Sequence, residues 1–563
     1  MSLSAQMDVS VGEHAALLPV LPPEVRSLTL RDGTRLDADI YQPAAGGPYP
    51  VLLMRQAYGR RIGCTLCYAH PAWYAANGYI VVVQDIRGRG TSEGFFKAGE
   101  DDIADGVETV DWAAGLEGST GDVGMYGFSY QGYVQLMAAI EARPALKALA
   151  PAMSPWHARE IWAYENGALR LQGALGWATQ IAAETARHAG DAEAYADLLA
   201  ESRTLNVRGC VQARPTYMER YREMSHYHRW LDTPADDPYW AAISPAAHAK
   251  TIAAKNIPTL FLGGWYDSHL RSTWEAYGDL LKEGHTRLRM TFGPWLHFPW
   301  DRKTGAIDFG PAAAVSMDVE HIRFFDQWLK GKEPAAAEEP IQLFDLGVHR
   351  WRGFAALPQQ EMTFALSGSG RATIDKSDGV LSTHSGRLSP GIDYVVNDPW
   401  RPAPAFGGAF GTPPGPVDRA HIDARGDIAT FTTSPFEETL TLAGAVKARL
   451  HVTCDAVSFD IGCVLSRVTK AGQVFQLADG YCTVKKDEPR DVIEVPMRAT
   501  CVTFQPGDAL RLSISGASFP AYPLNPGTGE DPTKAPSAHA RVITLGVKYG
   551  NGHPSCLVVT VAE

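Results

Sequence analysis

Apolar and polar residues alternate in two runs across residues 24–42 (EVRSLTLRDGTRLDADIYQ), meeting at Asp32-Gly33. That pattern predicts a β-hairpin closed by a tight turn. Two continuous apolar runs follow, at 51–54 and 79–83. Both are too short for helices and are flanked by Gly or Pro, so they predict buried strands. Between them, and again over residues 101–114 (DDIADGVETVDWAA), the apolar spacing lengthens toward the helical period. Residues 123–126 predict a further short strand, and 130–142 a helix. Alternation of this kind is that of a parallel sheet with crossover helices.

The strand signal fades over residues 154–245, where Ala-, Glu- and Arg-rich segments such as GWATQIAAETARHAGDAEAYADLLAESR carry helical spacing. It returns at 258–262 and 288–292. A helix at 318–330 (DVEHIRFFDQWLK) then places Ile322, Phe325 and Trp328/Leu329 on one face. A Pro- and Glu-rich stretch, GKEPAAAEEP (331–340), has the composition of a domain boundary. Beyond it, segments such as LTLAGAVKARLHVTC and ALRLSISGAS alternate at period two between turn residues. The expected organisation is an α/β core over 1–153 and 246–335, a helical cap over 154–245, and a β-sandwich or jelly roll over 341–563. No internal repeat is visible.

Composition narrows the function classes. Hydrophobic residues make up 45% of the 563 and charged residues 20%, which fits an ordinary globular chain. Lys and Arg total 51 against 63 Asp and Glu, a net charge of −12, so a phosphate backbone would repel this chain. No apolar run approaches the ~18 residues of a membrane span. The opening MSLSAQMDVSVGEHAALLPV lacks a basic n-region, so a cytoplasmic location is expected. Eight cysteines are too few for a disulfide scaffold; Cys64 and Cys67 form a lone CxxC, and Cys210 is far away. Neither a metal nor an organic cofactor is required by any motif.

The segment GDVGMYGFSYQGYVQLMAA (121–139) carries the clearest chemistry. A short strand runs into Gly127-Phe128-Ser129-Tyr130-Gln131-Gly132 and a helix starts at once, the setting of a nucleophile elbow. Its second Gly falls one residue late for the usual G-x-S-x-G spacing. A serine hydroxyl needs a base to remove its proton, and the base needs an orienting carboxylate. On an α/β-hydrolase core these follow in the order Ser, Asp or Glu, His, each after a strand. Asp267 in PTLFLGGWYDSHL and His297 in LRMTFGPWLHFPW meet those positions. Among 17 histidines, His269 and His285 are the nearest competitors. A dinucleotide reading of YIVVVQDIRGRGTSEG (79–94) fails, because its third Gly comes late and no helix follows.

GFSYQG, GGWYD and GPWLH, in this order and ahead of a β-domain, resemble the cocaine-esterase-type acyl hydrolases of the X-prolyl dipeptidyl peptidase superfamily. The likeness extends to RQAYGRR (55–61), QDIRGRGTSEG (84–94), DLGVHRWRG (345–353), YVVNDPWRPAPAFGG (394–408) and FPAYPLNPGTG (519–529). It implies Ser129 as nucleophile, His297 as general base and Asp267 as its orienter. It further implies an oxyanion hole from the Tyr58 hydroxyl and the Tyr130 backbone N–H. Trp162 and Trp177 would face the acyl group, with Tyr164 beside them, and Phe410 would reach in from the β-domain. His269 stands where the family often has an aromatic, which suggests a more polar wall. No acid follows Asp267 until Glu275, which disfavours a free α-amino substrate; Arg271 would attract an anionic one only if turned inward, and an exposed helix arginine is the expected placement.

The expected function is hydrolysis of carboxylic acyl esters through an acyl-enzyme, without cofactor. The alternatives are an amide acylase of the β-lactam side-chain type, an X-prolyl dipeptidyl-peptidase-like activity, or an inert core carrying a ligand-binding sandwich. Expected partners are a small-molecule ester or amide, with room for a homo-oligomer, and neither nucleic acid nor membrane.

Overall fold

The computed structural model describes residues 17–204, 212–298, 300–333, 338–383, 388–485 and 492–562. The opening residues, Cys210 and part of the 331–340 linker lie outside the described residues, and so do the expectations that fall on them.

The chain begins with the hairpin β1 (Glu24–Thr29) and β2 (Arg35–Tyr41), paired antiparallel. Its turn is local chemistry: the Thr34 N–H donates to Asp32 Oδ1 at 2.9 Å, and Gly33 takes a φ of 89°. There follow β3 (Tyr49–Gln56), β4 (Ile80–Asp85), helix α1 (Asp102–Ala114), β5 (Ser119–Phe128), helix α2 (Tyr130–Ile140) and β6 (Leu146–Ala152). A two-plus-two-residue hairpin, β7 (Tyr164–Glu165) and β8 (Ala168–Leu169), leads into helices α3 (Leu171–Ala189) and α4 (Ala192–Thr204). After several shorter helices come β9 (Thr259–Gly264), α5 (Leu270–Lys282), β10 (Leu288–Gly293) and α6 (Met317–Lys330). Strands β11 (Ile341–Asp345) and β12 (Arg350–Phe354) complete the series.

These strands form one ten-stranded sheet among the described residues, in the order β1-β2-β4-β3-β5-β6-β9-β10-β11-β12. The run from β4 to β11 is parallel, with antiparallel pairs at both edges. Its centre is covered on both faces, which is why β3 and β4 read as unbroken apolar runs, VLLM and IVVV, all buried. Helix α6 packs Phe325 against β5, where Gly124 leaves the space: a Cβ there would lie 2.7 Å from the Phe325 ring.

Among the described residues, the second sheet has eleven strands and is antiparallel but for one pairing. Its spine is the strand Leu440–Cys454, which pairs with Val492–Phe504 and Cys556–Ala562. The molecule is thus a mixed α/β fold with a large central sheet and a separate C-terminal β-rich domain.

Two boundaries differ from expectation. Residues 341–354, expected to open the β-domain, instead extend the first sheet, because β11 pairs parallel with β10. Buried Asp345, at the end of β11, then ties the sheets together. It accepts from the Thr503 N–H at 2.8 Å and the Arg352 Nε at 2.6 Å. The 154–245 stretch is mainly helical but carries β7–β8. That hairpin presents buried Glu165 to Arg498 Nη2 (2.8 Å) and the Tyr522 hydroxyl (2.7 Å) of the β-domain. Among the described residues, no helix is long and apolar enough to cross a membrane.

Candidate active site

Ser129 stands between the end of β5 and the start of α2, at φ 58° and ψ −125°. An L-residue seldom adopts this conformation, and the surrounding turn imposes it. Gly127 and Gly132 make the turn possible. A Cβ on Gly127 would lie 2.5 Å from the Gln131 Cβ. One on Gly132 would lie 2.8 Å from the Ser154 Cβ and 3.0 Å from the Ala152 carbonyl. The displaced second glycine therefore lets α2 close against β6. Gln131, which takes the usual glycine position, folds back instead. Its Oε1 accepts from the Phe128 N–H (3.3 Å), and its Nε2 donates to Gln56 on β3 (3.2 Å). Gly132→Ala is expected to lower the melting temperature by a few degrees, since overpacking costs about 1–3 kcal/mol. Calorimetry of the purified variant checks this.

Three side chains far apart in sequence converge at the carboxyl ends of β5, β9 and β10 of the one sheet. His297, in the loop after β10, has Nε2 3.1 Å from Ser129 Oγ. Its Nδ1 lies 2.7 Å from Oδ1 of Asp267, which follows β9 and is fully buried. With Nδ1 donating to the carboxylate, Nε2 is left free to accept the serine proton. The two loops are locked together: the Tyr266 N–H donates to the Trp295 carbonyl (3.0 Å) and the Trp265 N–H to that of Gly293 (2.9 Å). His285 is elsewhere, bonded to the Ile257 carbonyl at 2.9 Å as a buried structural residue.

A cavity of about 380 Å³ opens over Ser129. Tyr58 lines it and accepts from the Trp177 indole N–H at 3.2 Å, with the Ser129 hydroxyl also in hydrogen-bonding reach. Burial raises the Tyr58 phenol above its ordinary range, against those two bonds. The Tyr130 ring is anchored below, its hydroxyl donating to Asp102 at 2.5 Å. Its backbone N–H opens α2 and is therefore free of the helical ladder. Trp162 and Trp177, with centroids 5.1 Å apart, form an aromatic wall, and His269 completes it 5.5 Å from the His297 ring.

Residues 32–299 match the X-Pro dipeptidyl-peptidase (S15 family) profile, and 334–551 match the X-Pro dipeptidyl-peptidase C-terminal non-catalytic domain. The chain is 31% identical to the cocaine esterase of Rhodococcus sp. (strain MB1 Bresler) over 567 aligned positions, covering 95% of this chain and 97% of that one. The chain belongs to the cocaine-esterase-type hydrolases of the S15 family. In fold it is similar to an α-amino acid ester hydrolase (TM-score 0.76, 21% identity, 99% of each chain). It is also similar to an aminopeptidase from a Thaumarchaeota archaeon (TM-score 0.79, 22% identity, 99% of each chain).

Against the family pattern, several expected residues lie elsewhere. Phe410 does not line the cavity; its ring is held between the guanidiniums of Arg170 (4.2 Å) and Arg498 (4.8 Å), one layer behind the wall. Tyr164 is also outside, its hydroxyl donating to the Trp230 carbonyl at 3.3 Å. Arg271 faces Glu275 (2.7 Å) and Asn166 (3.1 Å), one helical turn of α5 having supplied its partner. Cys64 and Cys67 are free thiols, pushed up to about 11 and about 12 by burial. Sequence reasoning missed Arg170, which lines the cavity, and the rim of Ile62, Leu66 and Phe298. Among the described residues, no group of three or more His, Cys, Asp or Glu side chains is placed to hold a metal.

Proposed function

We propose that this chain hydrolyses carboxylic esters through an acyl-enzyme on Ser129. The observation that carries this reading is the hydrogen-bonded line from Ser129 Oγ through His297 to Asp267, at 3.1 and 2.7 Å, opening on the cavity. Ser129 Oγ attacks the ester carbonyl while His297 Nε2 takes its proton, and the imidazolium that forms faces the buried Asp267 carboxylate. The tetrahedral oxyanion is received by the Tyr130 N–H and the Tyr58 hydroxyl. Because Trp177 already donates to the Tyr58 oxygen, the phenol proton is directed away from the indole and toward the reacting centre. His297 returns its proton to the departing alkoxide. It then activates a water that releases the acid.

The architecture that serves this chemistry is best described as an α/β-hydrolase core over residues 1–153 and 246–335, carried on by β11 and β12 to 354. A helical cap over 154–245 supplies Trp162 and Trp177, and a jelly-roll domain follows. A free-amine substrate is disfavoured, since no Asp or Glu lines the cavity among the described residues.

A fluorophosphonate probe is expected to label wild-type protein at Ser129, located by peptide mass spectrometry; absence of labelling overturns the proposal. Tyr58→Phe is expected to lower kcat for a p-nitrophenyl ester by about 10²–10³-fold, the usual effect of losing one oxyanion donor. An unchanged kcat would remove Tyr58 from the oxyanion hole.

A further inference from the structure

The cavity over Ser129 has an uneven lining. Its rim is apolar and open: Ile62 is 81%, Phe298 68% and Leu66 57% exposed. Its enclosed wall holds one charged side chain, Arg170, and beside it His269, with no carboxylate among the described lining residues. Arg170 is 4% exposed and His269 8%.

Among the described residues, Arg170 has no carboxylate partner in contact. Its two Nη atoms donate to backbone carbonyls, of Ile161 and of Ser268 (2.6 Å), and its Nε is buried without a partner. Glu165, the nearby acid, is instead bound by Arg498 and Tyr522. Phe410 covers one face of the guanidinium. Glu165 and Asp267 act on this buried cation only without contact, so it is incompletely compensated, and a ligand anion in contact relieves that cost. His269 is likewise short of partners: its Nδ1 is buried with none among the described residues. Burial, His297 and Arg170 hold its imidazole well below the ordinary range, so it stays a neutral hydrogen-bonding group.

We propose that the preferred esters carry a carboxylate on their acyl portion, bound by Arg170 and His269. This rests on the reading of Ser129 as the nucleophile. The side of the ester follows from the lining. The alcohol must depart, and the open apolar rim suits it. The acyl group remains bonded to Ser129 and lies against the enclosed wall, where His269 is one ring away from His297. A half-ester of a short dicarboxylic acid meets both ends. Ser129 Oγ forms a bond to the ester carbonyl carbon, the alcohol leaves with the proton from His297, and water then frees the diacid. Guanidinium and carboxylate match in charge and in planar geometry.

The test compares mono-4-nitrophenyl glutarate with 4-nitrophenyl hexanoate, an apolar chain of similar length, on the full chain. Wild-type protein is expected to favour the glutarate in kcat/KM by at least tenfold. His269→Phe and Arg170→Gln should each bring that ratio close to one, with Ser129 labelling by the fluorophosphonate probe and the melting temperature reporting that the fold is intact. Arg170→Lys, which keeps the charge, should retain part of the preference. A wild-type ratio of one or below, or a ratio unmoved in His269→Phe, overturns the proposal. Hexanoate turnover that vanishes in Ser129→Ala leaves the esterase reading standing in that event, whereas failure to turn over either ester removes both.

Discussion

Ser129→Ala is expected to abolish turnover of a short-acyl p-nitrophenyl ester, by roughly four to six orders of magnitude, while the fold survives. No other hydroxyl can substitute, because the proton path from His297 Nε2 ends on Ser129 Oγ at 3.1 Å. The same site predicts an ordering of stabilities. Position 129 is held at φ 58° and ψ −125°, where a side chain costs about 1–3 kcal/mol and glycine nothing. Ser129→Gly should therefore be as inactive as the alanine variant yet melt about one to three degrees higher. Calorimetry alongside steady-state rates measures both. Retention of a tenth of the wild-type rate in either variant contradicts the assignment of Ser129, and equal melting temperatures contradict the strain.

Much of the first sheet is legible in the sequence for one physical reason. Strands covered on both faces favour apolar residues at every position, so β3, β4 and β9 contain short unbroken apolar runs between turn residues. β6 is buried except at Lys147 but is written LKALAPA, with Ala in place of β-branched residues and a Pro at 151, and so gives no strand signal. The place of 341–354 in the first sheet was hidden differently. Those residues alternate like the β-domain they precede, and only register, a property of two segments at once, assigns them to the first sheet. The candidate site divides along the same line. Ser129, Asp267 and His297 each end a strand at a Gly-containing turn, which is a local signal. Arg170 sits in ALRLQG, indistinguishable in sequence from an exposed helical arginine. Its place in the cavity depends on carbonyls at 161 and 268, one of them far along the chain. The misplacement of Phe410 has the same origin, since the two guanidiniums that hold it come from positions 170 and 498.

Asp267→Asn is expected to cost about 10³–10⁴-fold in kcat with little change in KM. The substitution keeps shape and volume at a fully buried position whose N–H bonds the Gly264 carbonyl (3.1 Å), so the turn after β9 should persist. What changes is the partner offered to His297 Nδ1. If the amide NH₂ faces it, the ring must carry its proton on Nε2, and the Ser129 hydroxyl loses its acceptor. If the amide oxygen faces it, the hydrogen bond survives but the negative charge does not. That loss is severe here because Arg170 lies within electrostatic reach of Asp267, and no acid lines the cavity among the described residues. An imidazolium formed at His297 would then lose its opposing charge in a cavity that already holds the Arg170 cation. Fluorophosphonate labelling should slow in parallel with turnover, since both require the same proton transfer, while the melting temperature changes little. A variant that keeps more than a tenth of wild-type activity would mean that some other anion supports His297.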